Sequence, residues 1–263
     1  KPLFLYLPFN AVHTPLQVPE SYTTPYEHLP VSRRKYAGMV AAMDEAIGQV
    51  VGVLEEKGML SNTLILFSSD NGGPGPGTIT NNGPLRAGKG TIYEGGIRVS
   101  AFAYWPGKIP AGQIIREPLH IVDWYPTLVK LAGGSLEQKF PLDGKDIWSV
   151  VTQGAKTPHD SLLLSSTLYG KAAVRMGDWK LLRGASDKEA EEVGDDKSAG
   201  KGDELYNLAD DIGEKKNLIS ENPEKAKELR AKLDVLLKDA VPFAGESAEG
   251  QANSKKPKKK RKK

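Results

Sequence analysis

The chain has no cysteine among its 263 residues. Disulfides, thiolate nucleophiles and cysteine-ligated zinc are therefore excluded within it. Histidine is scarce at four residues, and none stands in a His-x-x-x-His or Asp-x-x-x-His pattern, which speaks against a two-zinc centre. No stretch approaches the roughly 18 to 20 uninterrupted apolar residues of a membrane span, so none is expected. The opening "KPLFLYLPFN" is too short and too proline-broken for a signal peptide, and no small-residue cleavage site follows it. It reads instead as a buried strand. What the chain does have is 39% hydrophobic residues, enough for one large or two smaller cores.

Net charge is +3, but "KKPKKKRKK" at 255–263 holds most of that surplus, and the remainder is acidic. The tail has neither interleaved aromatics nor a folded platform, so no nucleic-acid partner is expected. From about residue 243 the composition is Gly, Ser, Ala, Asn and Lys, which cannot bury enough surface to order itself.

After the opening strand, "NAVHTPLQVPESYTTPYEHLP" has no period and reads as an ordered loop of the long kind that often carries function. Tyr36, Met39, Val40, Met43, Ile47, Val50, Val51 and Leu54 then recur at three- and four-residue steps. This predicts an amphipathic helix with Ser32 as N-cap and Gly58 as its stop. "NTLILFSS" follows as a buried strand. Strand, helix and strand in that order predict a βαβ unit, hence an α/β fold with a largely parallel sheet. "VSAFAYWPG" returns to strand character, and "VDWYPTLVKLAGG" is a second helix. Past a boundary near residue 155, "SLLLSS", "KAAVRMG" and "WKLLRG" are short strands at antiparallel spacing, followed by an acidic loop over 185–203. A closing helix begins at Glu221 or Asn222 and lines one face with Leu229, Leu233, Leu236 and Leu237. The expected organisation is an α/β domain over 1–155, a small α+β subdomain over 156–242 and a disordered basic tail over 243–263.

The candidate chemistry sits in loops. In "LILFSSDNGGPGPG" a strand stops at Asp70 and Asn71, where the carboxyl ends of parallel strands commonly gather ligands. Carboxylate and amide oxygens suit calcium or magnesium, although the same residues also dominate ordinary turns. His13 follows the first strand and is either a structural residue or an acid, base or anion binder. Lys89 lies between Gly88 and Gly90, so its ammonium is presented uncrowded, either to an oxyanion or to water. Glu94 and Arg98 fit a structural ion pair. Asp123 fits the first-turn acid of a helix that Pro126 helps to start.

Seven segments taken together resemble the sulfatase family from residue 1 to about 240: "AVHTPLQVPESY", "YAGMVAAMDEAIGQVV", "FSSDNGG", "PLRAGKGTIYEGGIR", "HIVDWYPTLVKLAGG", "PLDGKDIW" and "ELYNLADDIGEKKNLISENPE". The first two look closest to the arylsulfatase B, or N-acetylgalactosamine-4-sulfatase, type. The resemblance implies an alkaline-phosphatase-like α/β enzyme that hydrolyses sulfate esters of glycans or aryl alcohols. It implies one calcium ion held by Asp70 and Asn71, with His13 and Lys89 as catalytic residues contacting the sulfate. It also implies export to the periplasm or beyond, and a formylglycine-generating partner that makes the nucleophile from a "C/S-x-P-x-R" motif. That motif is absent here, as are the paired aspartates and the Lys and His that accompany it in the family. The expectation is a C-terminal portion of a longer sulfatase, inactive alone. The rival readings are a phosphatase or phosphodiesterase of the same superfamily, and a non-catalytic binder of sulfated glycans.

Overall fold

The computed structural model describes residues 2–166, 171–185 and 202–238. The expected disordered tail at 243–263 and most of the acidic loop at 185–203 lie outside these residues.

A short helix α1 (Glu20–Thr23) leads into α2 (Val31–Glu56). Helix α2 starts one residue after Pro30, whose carbonyl accepts the Arg34 N–H at 2.8 Å. The expected N-cap, Ser32, therefore lies inside the helix, because the proline fixes the entry angle and no side chain caps the first turn. Gly58 does end it, at φ +65°. By length and composition alone α2 could cross a membrane, a property shared with core helices. Its apolar stripe, from Tyr36 through Met43 and Ile47 to Leu54, faces a large open cleft.

Strand β1 (Ile65–Ser68) pairs antiparallel with β2 (Ala101–Tyr104), in a register that sets Phe67 opposite Phe102. Their rings stack with centroids 5.0 Å apart. Residues 2–10 are not in a strand, and Leu3, Phe4, Leu5 and Tyr6 are 60% to 79% exposed. The expected parallel partnership between this segment and β1 is thus not formed, since a strand exists only where a neighbour takes its ladder hydrogen bonds. All named strand pairings among the described residues are antiparallel.

Between the β1 and β2 strands lies the one-turn α3 (Glu94–Ile97). After β2 come α4 (Trp124–Leu131) and α5 (Trp148–Gln153). Ile147, Val150 and Val151 pack with Trp124 and Leu119 in a small core of their own.

The strands β3 (Leu162–Ser166), β4 (Lys171–Met176), β5 (Trp179–Ala185) and β6 (Gly202–Asn207) form an antiparallel meander in sequence order. Side-chain alternation gives this sheet two different faces. One carries Ala172, Val174, Leu181 and Leu205, covered by Ala226, Leu229 and Leu233 of α6 (Pro223–Lys238). Asn222 takes the N-cap place, its carbonyl accepting from Ala226 N at 3.0 Å, and Pro223 occupies the first helical position. The other face carries Ala173, Leu182 and Tyr206, packed against Ile92 and Tyr93 just ahead of α3. Buried among them are two charged side chains, Lys180 and Glu204. The C-terminal sheet with its packed helix is as the strand spacing predicts, and its inner face grips the loop that contains Lys89.

Candidate active site

β1 ends in the turn Ser69–Asp70–Asn71–Gly72–Gly73, and backbone contacts tie that turn to the Lys89 loop. Ser69 N–H donates to Ser100 O at 3.0 Å, and Gly72 N–H donates to Gly96 O at 2.9 Å. Asn82 acts as a clamp: its Oδ1 accepts from Gly73 N at 3.0 Å, and its Nδ2 donates to Gly73 O at 3.1 Å and Ala87 O at 2.8 Å. Lys89 N–H reaches Gly73 O at 3.4 Å. Two of the glycines are required by this crowding. A Cβ on Gly72 would stand 1.6 Å from Gly95 O, and one on Gly88 would stand 2.3 Å from Gly73 O. Asn82 carries no signal in a single sequence beyond lying in a Gly- and Asn-rich loop.

The turn presents Asp70 exposed and Asn71 half-buried. Asn71 Nδ2 donates to Gly72 O at 2.8 Å, which leaves Oδ1 as the outward acceptor. Lys89 is exposed and makes no ion pair among the described residues. His13 is exposed as well; its Nδ1 lies 2.9 Å from Thr14 O and, since a carbonyl only accepts, must donate there. Nε2 is then the free ring atom. All four side chains line the same open cleft, and the backbone brings Asp70, Asn71 and Lys89 together. His13 shares the cleft but makes no hydrogen bond to the other three among the described residues. Asp70 and Asn71 offer two hard oxygen donors that fit part of a calcium or magnesium shell, which takes about six or more oxygens. No group of three or more acidic or histidine side chains able to hold a metal occurs among the described residues.

Behind the Lys89 loop lies a buried charge network. Glu94 accepts from Lys180 Nζ at 2.9 Å through Oε1, and its backbone N–H donates to Glu214 Oε2 at 2.6 Å. Lys180 Nζ is also 2.8 Å from Glu214 Oε1. Burial pushes Glu94 up, but Lys180, Arg175 and Arg98 together outweigh it and hold this carboxyl below its ordinary value. Burial wins at Glu214, whose carboxyl is pushed up despite Lys180.

On the other side of the loop, Arg86 Nη1 donates to Tyr206 Oη at 2.9 Å and to Glu214 O at 3.0 Å, and its guanidinium lies over the Tyr93 ring at 4.0 Å. Tyr93 and Tyr206 both donate to Glu204 Oε2, at 2.9 and 2.6 Å. Burial, reinforced by Glu204, pushes both phenols up, so they stay protonated donors. Arg86 and Glu94 thus bracket Lys89 in sequence, and both are anchored to the C-terminal sheet. The expected Glu94–Arg98 pair exists at 3.6 Å but is one arm of this larger network.

Asp123 is fully buried and has the expected helix-start role: Oδ2 accepts from His120 N at 2.7 Å, completing a capping box. Its Oδ1 takes Lys145 N at 2.9 Å and His159 Nε2 at 2.8 Å. His159, which has no sequence motif, is therefore a structural partner of Asp123.

Comparison with solved structures identifies the architecture. The chain superposes on Ps i-CgsB in complex with k-i-k-neocarrahexaose with a TM-score of 0.75 at 33% identity, covering 86% of this chain and 48% of that one. It superposes on BT4656 in complex with its substrate D-glucosamine-2-N,6-O-disulfate with a TM-score of 0.59 at 26% identity, covering 78% and 40%. The fold class is that of alkaline-phosphatase-like sulfatases. A family model described as Sulfatase matches residues 1–135, and the chain belongs to the sulfatase family. It is 36% identical to arylsulfatase J of Mus musculus, over 92% of this chain and 46% of that protein. It is 35% identical to N-acetylgalactosamine-6-sulfatase of Sus scrofa, over 59% of this chain and 30% of that protein. The chain thus spans less than half the length of these relatives.

Proposed function

We propose that this chain supplies half of the active site of a sulfuric ester hydrolase whose substrate is a sulfated glycan. The observation that carries the reading is the joining of the Asp70–Asn71 turn to the Lys89 loop by Gly72 N to Gly96 O and Lys89 N to Gly73 O, in a chain similar to sulfatases over nine-tenths of its length. A neighbour solved with a disulfated glucosamine as its substrate supports the substrate class. The protein is exported, and its catalytic α/β domain includes 1–155, with 156–242 as the smaller subdomain.

In this reading Asp70 and Asn71 Oδ1 hold a calcium ion together with ligands from outside this chain. When bound, that ion neutralises charge on the nonbridging sulfate oxygens. Lys89 draws another sulfate oxygen as a point charge. His13, with Nδ1 committed to Thr14 O, offers Nε2 to the leaving oxygen and, when protonated, donates to the alkoxide as the S–O bond breaks. The nucleophile is a formylglycine hydrate installed by a generating enzyme on the remaining part of the protein. Within this chain, Asn82 and the glycines fix the spacing between the carboxylate and the ammonium.

The test is hydrolysis of 4-nitrocatechol sulfate by the full-length protein, co-expressed with a formylglycine-generating enzyme, with and without calcium. Calcium-dependent turnover that falls about 100-fold or more in Asp70→Ala and in Lys89→Ala is the expected result. Turnover equal to wild type in both variants overturns the site assignment.

A further inference from the structure

The cleft wall next to Lys89 carries positive charge that the hydrolase reading leaves unused. Glu94 opens α3 five residues after Lys89, and Arg98 directly follows that helix. Arg98 Nη1 lies 3.6 Å from Glu94 Oε2, and Arg175 Nη1 on β4 lies 4.0 Å from the same oxygen. Neither distance is a hydrogen bond. The other oxygen of Glu94 is already engaged by Lys180 at 2.9 Å. One carboxylate therefore faces three cations.

The neighbouring acids do not restore the balance. Glu214 is shared with Lys180, and burial disfavours its charged form. Asp178 acts on Arg175 only from the exposed β4–β5 turn. Burial pushes Arg175 below the usual guanidinium value, Glu94 opposes that shift, and Arg98 adds to it, so the two cations share the one carboxylate. Arg175 Nε donates to Gly177 O at 2.9 Å, but its Nη2, and Nε and Nη2 of Arg98, make no hydrogen bond among the described residues. Both side chains line the same cleft as Asp70 and Lys89; the Arg98 side chain is 46% exposed and that of Arg175 15%. Two adjacent guanidiniums with uncommitted donors, one of them desolvated, match the paired acceptor oxygens of a sulfate or carboxylate.

We propose that Arg98 and Arg175 form a second anion site on the cleft wall, which takes a sulfate or carboxylate of the substrate other than the ester being cleaved. The natural substrate is then a glycan with at least two anionic groups. This rests on the hydrolase reading for its substrate, but not for its binding chemistry.

The experiment compares the full-length enzyme with its Arg98→Gln and Arg175→Met variants on an aryl monosulfate and on a disulfated disaccharide. Each variant is expected to raise KM for the disulfated sugar at least about tenfold more than for the aryl sulfate, the size of a lost charge-assisted hydrogen bond. Added salt should narrow the difference. Equal changes on the two substrates overturn the site, including the case in which Arg175→Met merely weakens the fold. If the wild type cleaves neither substrate, the hydrolase reading fails. Calorimetric titration with the same disaccharide then decides the anion site alone: binding about tenfold weaker in Arg98→Gln supports it, and equal binding overturns it.

Discussion

Lys180 on β5 places its ammonium 2.9 Å from Glu94 Oε1 and 2.8 Å from Glu214 Oε1, with all three side chains at least 97% buried. This single cation joins the C-terminal sheet to the segment that carries Lys89. Removing it leaves two buried carboxylates facing each other.

Lys180→Met is expected to destabilise the protein by about 3 to 5 kcal/mol, the usual cost of breaking a buried pair from one side. Urea denaturation monitored by tryptophan fluorescence measures it. A loss under about 1 kcal/mol means that the network is not holding the two parts together.

The two glutamates respond to pH with opposite signs. Glu94 is held below its ordinary value when folded, so its contribution is full above the unfolded value of 4.5 and is lost as pH falls through the lower folded value. Glu214 is raised, so its contribution is full below 4.5 and is lost as pH rises through the elevated folded value. The stability difference between wild type and Glu94→Gln should therefore grow with pH up to about 4.5 and then level off, whereas that for Glu214→Gln should shrink as pH rises above it. Denaturation midpoints from about pH 3 to about pH 8 test this, and parallel profiles for the two variants contradict it.

Gly72→Ala is expected to cost about 3 kcal/mol or more, because its Cβ would stand 1.6 Å from a backbone oxygen that has no rotamer to escape into. Gly48→Ala, where a Cβ meets nothing within 4 Å, is the control and should be neutral or stabilising. Thermal melts of the pair decide the matter; equal melting temperatures refute the close approach.

Asn82→Ala removes three hydrogen bonds from the junction between the Asp70–Asn71 turn and the Lys89 loop. A loss of about 1 to 3 kcal/mol is expected. Amide exchange should quicken at Gly73 and Lys89 before it does in α6, and uniform quickening would point to global unfolding instead.

Much of this was legible from the chain alone, and the reasons differ by element. Leu229, Leu233, Leu236 and Leu237 recur at helical steps, so α6 and its buried face follow from periodicity. β3, β4 and β5 follow from short apolar runs separated by turn residues, and β1 follows in the same way. The partner of β1 does not, because an apolar run states that a strand is buried but not which neighbour it takes. Ser32 misled for a related reason: a good capping residue sits two positions too late when a proline ahead of it already sets the helix entry.

Lys180 and Glu204 were hidden by the two-residue period of the sheet. A polar residue on a strand reads as solvent-facing, yet here both alternate faces are covered, one by α6 and the other by the segment ahead of α3. The partners of Lys180, Glu94 and Glu214, lie 86 and 34 residues from it, and Tyr93, a partner of Glu204, lies 111 residues from that residue, separations that no local pattern encodes.

The anchoring of the Lys89 loop at Arg86 and Glu94 has a consequence for genetics. Glu204, Tyr206 and Glu214 stand more than a hundred residues downstream of Lys89, yet they hold the ends of its loop. A premature stop before β6 spares every candidate site residue in the sequence and still removes these anchors. Such an allele would score as null in a screen for activity, and missense changes in the last two strands would cluster with changes at Lys89 rather than with ordinary surface variants.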